Sequence, residues 1–188
     1  GNVVAIDFER ATAKINLRHE ISKRLSFDLN TNLSSIVQNG TSGSNGSTGA
    51  YAAPQYAAPT ILPFIPIYNP DGSMNAPIEG FPGSANRNPI QESLLGTLQS
   101  RTKALVTNIS ATYKIMDNLS FKSFYGLDFR LIDDERYVDP RTISGFAAQG
   151  SLTVGARQNR NFITNQTLQY NTSWNDQHNL SALLGFEY

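Results

Sequence analysis

The chain has 188 residues, carries 15 basic and 15 acidic side chains, and contains no cysteine. The balanced charge, without any lysine or arginine cluster, argues against nucleic-acid binding, and the lack of cysteine excludes a disulfide framework or a thiolate metal site. Only 16% of the residues are charged, below the roughly 25% of an average soluble domain, and uncharged polar residues supply the missing polarity.

The first regular segments are two alternating strands joined by a short turn. Apolar and polar side chains alternate from Ala11 to Ile21, and the pattern returns from Leu25 to Val37. A period of two predicts strands with one apolar and one polar face. The intervening Ser22-Lys23-Arg24 predicts a tight hairpin turn.

Residues 38–100 show no convincing strand and predict a long connection. A Gly/Ser-rich stretch precedes one that is dense in proline and aromatic residues, and proline removes the backbone donors that a central strand needs. Aromatic faces stack on sugars and anchor interfaces. The candidate contacts to a ligand or a partner protein are therefore Tyr51, Tyr56, Phe64 and Tyr68. The alternative is that these side chains only pack the loop onto its neighbours.

The second hairpin contains the longest alternating segment, Leu119 to Leu131, with the sequence LSFKSFYGLDFRL. It is longer than the roughly 5–6 residues of a strand in a soluble sheet and close to the roughly 9–11 tilted residues that cross a bilayer in a barrel. The strand from Lys103 to Ile115 precedes it, and the turn between them repeats the first one, since ISKRLSF recurs as IMDNLSF. The repeating unit is a hairpin.

A second connection is predicted over residues 132–159, and it carries Asp133, Asp134 and Glu135. Their spacing is not that of a calcium-binding EF-hand loop, so we expect a solvated acidic loop and no metal site. The third predicted hairpin runs from Phe162 to Trp174 and from Leu180 to Tyr188.

Short turns and long connections alternate strictly along these six predicted strands. Outer-membrane barrels have short periplasmic turns and long extracellular loops. The predicted fold is therefore all-β, an antiparallel up-and-down portion of a transmembrane β-barrel with about six strands. Because six strands do not enclose a useful pore and open edges are not tolerated in lipid, further strands are expected beyond both ends. The alternative is a soluble all-β carbohydrate-binding module, in which two sheets face each other.

The polar faces of the strands supply the candidate lumen-facing residues, which are Lys14, Arg18, Lys122, Asp128 and Arg130. In a barrel they would tune selectivity, or they would form ion-pair ladders with neighbouring strands. His19 and His178 are the histidines of the chain, and neither lies in a pattern that suggests a catalytic triad. The sequence therefore predicts a protein that is not an enzyme.

Four segments together resemble the barrel of SusC/RagA-family TonB-dependent transporters from the outer membrane of Bacteroidetes. They are KINLRHEISKRLSFDLNTNLS, IPIYNPDGS with the later Asn88-Pro89, ATYKIMDNLSFKSFYGLDF and WNDQHNLSALLGFEY. The resemblance implies a barrel of roughly 22 strands, of which residues 1–188 are a part. The family's plug domain and TonB box, and a signal peptide, do not appear in these residues.

What the resemblance implies about function is an importer of oligosaccharides or peptides in the cell outer membrane. Its expected partners are a SusD-like surface lipoprotein, the surrounding lipid and the TonB complex, the last through parts absent from this chain. No cofactor, metal or nucleic acid is implied.

Overall fold

The computed structural model describes residues 5–40, 64–76, 88–175 and 178–188. These residues form six strands and two short helices. In chain order they are β1 (Asp7–Glu20), β2 (Leu25–Asn39), α1 (Pro89–Leu95), β3 (Thr97–Met116), β4 (Leu119–Val138), α2 (Ile143–Phe146), β5 (Ser151–Trp174) and β6 (His178–Glu187). Within the described residues, no helix is long and apolar enough to cross a membrane.

The six strands form one sheet in the order β1-β2-β3-β4-β5-β6, so every strand pairs with its neighbours in the sequence. Strands β5 and β6, for example, are antiparallel, with Leu168 opposite Leu184. The predicted antiparallel up-and-down topology is confirmed. A sandwich would need a second sheet, and the described strands contain none.

The first hairpin turn forms as predicted. The backbone N–H groups of Arg24 and Leu25 donate to the Ser22 hydroxyl at 3.2 and 3.1 Å, and Ser22 and Leu25 also exchange two backbone hydrogen bonds. The serine side chain thus accepts from two turn amides, one of which, that of Leu25, also has a backbone acceptor.

The chain divides into two compact units. The helix-bearing unit contains the described residues of Gly1–Arg10, Ile36–Thr102 and Ile132–Arg157. The all-strand unit consists of Ala11–Ser35, Lys103–Leu131 and Gln158–Tyr188.

Within the all-strand unit, side chains from different strands meet on two distinct faces of the sheet. The rings of Tyr125 and Phe162 lie 6.2 Å apart, which places the odd positions of β4 and the even positions of β5 on the same face. The antiparallel pairing extends this assignment to the other strands. The face so defined carries most of the leucine, isoleucine and aromatic side chains, and we call it the apolar face. The opposite, polar face carries the Arg18–Asp28 ion pair, whose Nε and Oδ1 are 3.3 Å apart.

Gly126 lets three strands approach closely on the polar face. A Cβ at this position would lie 2.6 Å from Cγ2 of Ile163 on β5 and 3.0 Å from Oδ1 of Asn108 on β3. Both distances are shorter than ordinary van der Waals contact, so glycine is the residue that fits here.

The predicted strand ends were wrong in the helix-bearing unit. Strand β3 begins at Thr97, β4 continues to Val138 and β5 begins at Ser151, so the predicted connection over 132–159 is reduced to residues 139–150. The acidic triplet therefore lies in a strand and not in a loop. Helix α1 also occupies residues for which no regular structure was predicted.

Candidate functional site

All five candidate lumen-facing residues lie at polar-face positions of the all-strand unit. Arg18 pairs with Asp28 across β1 and β2, whereas Arg130 forms two hydrogen bonds, of 3.1 and 3.0 Å, with Asp128 on its own strand. Lys14 and Lys122 make no ion pair within the described part of the chain. This face therefore presents charges of both signs, and Lys14, Lys114 and Lys122 supply ammonium groups that make no ion pair among the described residues.

Asp134 is the member of the acidic triplet that joins three strands of the helix-bearing unit. Its Oδ1 accepts a 2.7 Å hydrogen bond from the Ser100 hydroxyl on β3, and its Oδ2 accepts one of 2.7 Å from Nη2 of Arg157 on β5. These partners satisfy a carboxylate that sequence reasoning placed in a loop. No group of three or more histidine, cysteine or acidic side chains in the described residues is arranged to hold a metal ion.

The segment IPIYNPDGS forms a small hairpin, with a bridge between Tyr68 and Met74. At its tip, the N–H of Gly72 donates to the carbonyl of Asn69 at 2.9 Å, and Gly72 has a φ of +82°, a conformation that glycine adopts without strain. The Asp71 carboxylate accepts hydrogen bonds from the hydroxyl and the backbone N–H of Ser73. These two bonds, the hydroxyl first, lower the pKa of Asp71.

Asn88 fixes this hairpin to helix α1. Its side chain is almost fully buried, with 2% exposed. The amide nitrogen donates to the carbonyls of Ile67 at 2.9 Å and Asn75 at 3.1 Å. The amide oxygen accepts from the N–H groups of Ile90 and Gln91 at 3.1 and 3.2 Å. One side chain thus caps a helix and closes the base of the hairpin.

The hairpin region presents two of the four candidate contact aromatics to solvent. Phe64 is 76% exposed and Tyr68 is 51% exposed. Tyr51 and Tyr56 lie outside the described residues. Exposed rings at a fixed hairpin offer apolar faces on which a sugar ring or a partner side chain can stack.

Residues 139–150 form a second organised loop, built around Asp139. The Arg141 guanidinium donates two hydrogen bonds to this carboxylate, at 2.9 and 2.8 Å, and the Arg141 backbone N–H donates a third at 2.8 Å. These bonds lower the pKa of Asp139 from 3.8 to about 2, the guanidinium contributing most, and the same pairing raises the pKa of Arg141. Gly145 packs against the carbonyl of Asp139, where no Cβ would fit.

The loop around Asp139 is expected to loosen in acid. Because the pKa in the folded loop lies near 2 and the ordinary value is 3.8, the pairing stabilises the loop above about pH 4 and is lost as the pH falls toward about 2. Hydrogen exchange of the Arg141 and Gly145 amides, corrected for the intrinsic rate, should show protection falling over this range. In Asp139→Asn the protection should be low and should not depend on pH, and a variant that titrates like wild type would contradict the assignment.

Helix α1 also connects to this second loop. The carboxylate of the buried Glu92 accepts a 3.1 Å hydrogen bond from the backbone N–H of Ser144 at the start of α2. At the end of α1, a Cβ on Gly96 would lie 2.8 Å from the Glu92 carbonyl and 3.3 Å from that of Tyr137. The hairpin, α1 and the loop of residues 139–150 are therefore joined by Asn88 and Glu92.

Comparison with known proteins gives two kinds of match. The TonB-dependent receptor P3 of Formosa agariphila is 27% identical over 190 residues, which covers 100% of this chain and 18% of the receptor. The solved structure of the RagAB peptide transporter superimposes with a TM-score of 0.69 at 18% identity, covering 97% of this chain and 20% of that one. The RagAB peptide importer in its open-open state gives a TM-score of 0.67 at 19% identity.

No protein-family model matches the sequence. The matched relatives are a receptor and a transporter, and the chain spans about a fifth of their length. The predicted resemblance to the SusC/RagA family is confirmed.

In this SusC/RagA-like segment, the residues that sequence reasoning missed are those that organise the helix-bearing unit. Asn88 stands in an Asn-Pro pair, and its signal as a helix cap is the proline that follows it at the first helical position. Glu92 and Asp139 gave no signal, because their partners Ser144 and Arg141 are recognisable only in the folded loop.

Proposed function

We propose that this chain is part of the barrel wall of an outer-membrane, TonB-dependent nutrient importer of the SusC type. It takes up oligosaccharides or peptides together with a SusD-like surface lipoprotein, and it carries no catalytic chemistry. The observation that carries this proposal is a single sheet in which most of the large apolar side chains share one face. The likeness to RagAB and to a TonB-dependent receptor supports it.

The physical argument concerns the solvent on each face. In the all-strand unit the apolar face leaves large side chains exposed, among them Ile15, Phe162 and Leu184. Exposed apolar side chains are stable when lipid surrounds them. The strands of a closed barrel also satisfy their backbone hydrogen bonds there without water. The polar face, with its paired charges, then borders water and the passing substrate.

The substrate class is inferred from charge and aromatic exposure. Charges of both signs on the polar face, several of them already paired, suit an uncharged or zwitterionic solute such as an oligosaccharide or a peptide. The exposed rings of Phe64 and Tyr68 are assigned to contact with this substrate or with the lipoprotein. RagAB is described as a peptide importer, which makes peptides one of the two classes to test.

The test uses the full-length protein that contains this segment, expressed in its host. We expect it in the outer-membrane fraction, with the heat-dependent electrophoretic shift of a folded barrel. Uptake of a labelled peptide mixture or oligosaccharide mixture should stop when the proton-motive force is collapsed. A soluble protein, or uptake that continues without the proton-motive force, would overturn the proposal.

The double variant Phe64→Ala/Tyr68→Ala is expected to raise the substrate concentration for half-maximal uptake by roughly thirtyfold, since each of the two contact aromatics contributes about 1 kcal/mol. The control is Phe146→Ala, which removes an aromatic side chain that is 71% exposed and lies outside the hairpin. An equal change in both variants would contradict the assignment of the hairpin to ligand or partner contact.

A further inference from the structure

A groove with a volume of about 590 Å³ lies in the all-strand unit, and most of its lining comes from apolar-face positions. It exists because small side chains stand where the neighbouring strands carry large ones. The small residues are Ala11, Ala13 and Ser35, and the large ones are Leu33, Leu105 and Phe129. Its lining is almost entirely apolar.

Two cations adjoin this groove. Lys103 lines it directly, and the guanidinium carbon of Arg160 lies 5.7 Å from the ring centroid of Phe129, which also lines it. Both side chains are exposed. The arrangement over Phe129 is a cation–π contact, which holds the guanidinium beside the groove.

These cations are exceptional on the apolar face. Along the described strands of the all-strand unit, the apolar-face positions carry no carboxylate, and Lys103 and Arg160 supply the ammonium and guanidinium groups. The polar face, by contrast, holds both signs. Within the all-strand unit, the groove thus has two positive charges beside it and no carboxylate in its lining.

The position of Lys103 along β3 matches the far edge of a lipid bilayer. The twelve steps from Lys103 to Ile115, next to the short turn, span about 40 Å at roughly 3.3 Å per residue. At a strand tilt of about 35–45° this is about 28–33 Å of height, close to the roughly 30 Å of a hydrocarbon core. The cations therefore lie at headgroup level, on the side away from the short turns.

We propose that this groove binds a membrane lipid with a phosphate headgroup. The acyl chain lies between Leu33, Leu105 and Phe129, and the phosphate contacts Lys103 and Arg160. If Lys103 and Arg160 only extended from the bilayer edge into water, they would require neither a groove nor small residues beside them. Charge complementarity selects an anionic lipid over a zwitterionic one. The inference presupposes the proposed membrane location.

The experiment is native mass spectrometry of the purified full-length receptor with phosphatidylglycerol and with phosphatidylcholine of identical acyl chains. Wild type should retain phosphatidylglycerol preferentially. In Lys103→Gln/Arg160→Gln the preference should fall by roughly thirtyfold, as expected for the loss of two interfacial cations at about 1 kcal/mol each. In Ala13→Phe, which fills the groove, retention of both lipids should fall. The control Lys114→Gln/Lys122→Gln removes the same charge from the polar face and should behave like wild type.

An unchanged preference in Lys103→Gln/Arg160→Gln would overturn the inference, and so would an equal loss in the control, because net charge and not the groove would then be responsible. Each preparation is first checked for the heat-dependent shift of a folded barrel. If wild type lacks this shift, the proposed function fails. If wild type shows it and the lipid preference is absent, only the groove inference fails.

Discussion

Leu184→Arg in the full-length protein that contains this segment is expected to block assembly of the proposed barrel, whereas Leu183→Arg is expected to assemble nearly like wild type. The two leucines are adjacent in β6 and almost equally exposed, at 72% and 69%. They differ in the face they occupy, since Leu184 lies opposite Leu168 and Leu183 lies opposite Gln169. A sheet with water on both faces would treat the two substitutions alike.

The size of the effect follows from the cost of burying a guanidinium in lipid. Leu184 is six residues beyond the start of β6, which in the proposed barrel places it near the middle of the hydrocarbon layer at the usual strand tilt. An arginine on the lipid face at this depth costs about 2–4 kcal/mol, so the assembled form should fall by roughly tenfold or more. On the polar face the same guanidinium remains hydrated.

The measurement is the fraction of each variant that shows heat-dependent migration in outer-membrane extracts, at matched expression. Equal assembly of both variants would contradict the assignment of the faces, and so would a stronger defect in Leu183→Arg.

Asn88→Ala is expected to release the hairpin that carries Tyr68 from helix α1. The substitution removes a helix cap, which contributes about 1 kcal/mol. It also removes the side-chain donor of the Asn75 carbonyl and one of the two donors of the Ile67 carbonyl, which keeps the Asn75 N–H, at about 1 kcal/mol for each lost hydrogen bond. Because the effect is local, the strands should stay assembled while residues 64–76 become sensitive to protease on intact cells.

Asn88→Asp separates the two roles of this side chain. Aspartate retains the acceptor for Ile90 and Gln91 and suits a helix N-terminus, but it has no donor for the hairpin carbonyls. Hydrogen exchange should therefore find the α1 amides protected as in wild type and the Asn75 amide, which donates to Ile67, exposed. A hairpin that stays protected in both Asn88 variants would show that other contacts hold it.

The paired hairpins and their two faces were predictable from sequence because alternation with a period of two reports directly which side chains share a face. The tight turn at Ser22 was predictable for the same reason, since its hydrogen bonds are local. In Leu119–Leu131 apolar side chains occupy nearly every odd position. The pattern alone therefore determined which face each side chain occupies.

The strand extensions were not predictable in this way. Asp133 and Asp134 look like loop residues when read alone, yet Asp134 is satisfied by Ser100 and Arg157, which are distant in sequence. Helix α1 likewise depends on Asn88, whose partners Ile67 and Asn75 belong to a separate segment. Pairing across the fold decided the strand extensions and the attachment of the hairpin to α1, whereas the Asn-Pro pair records only the local helix cap.

The most direct test of the two-faced sheet uses the absence of cysteine from this chain. Single cysteines placed in turn from Leu119 to Leu131 in the reconstituted full-length protein, with any cysteine elsewhere replaced, would carry a nitroxide spin label. We expect accessibility to oxygen at the odd positions and to a water-soluble nickel complex at the even positions, alternating residue by residue. The same accessibility at odd and even positions would contradict a strand with lipid on one face and water on the other.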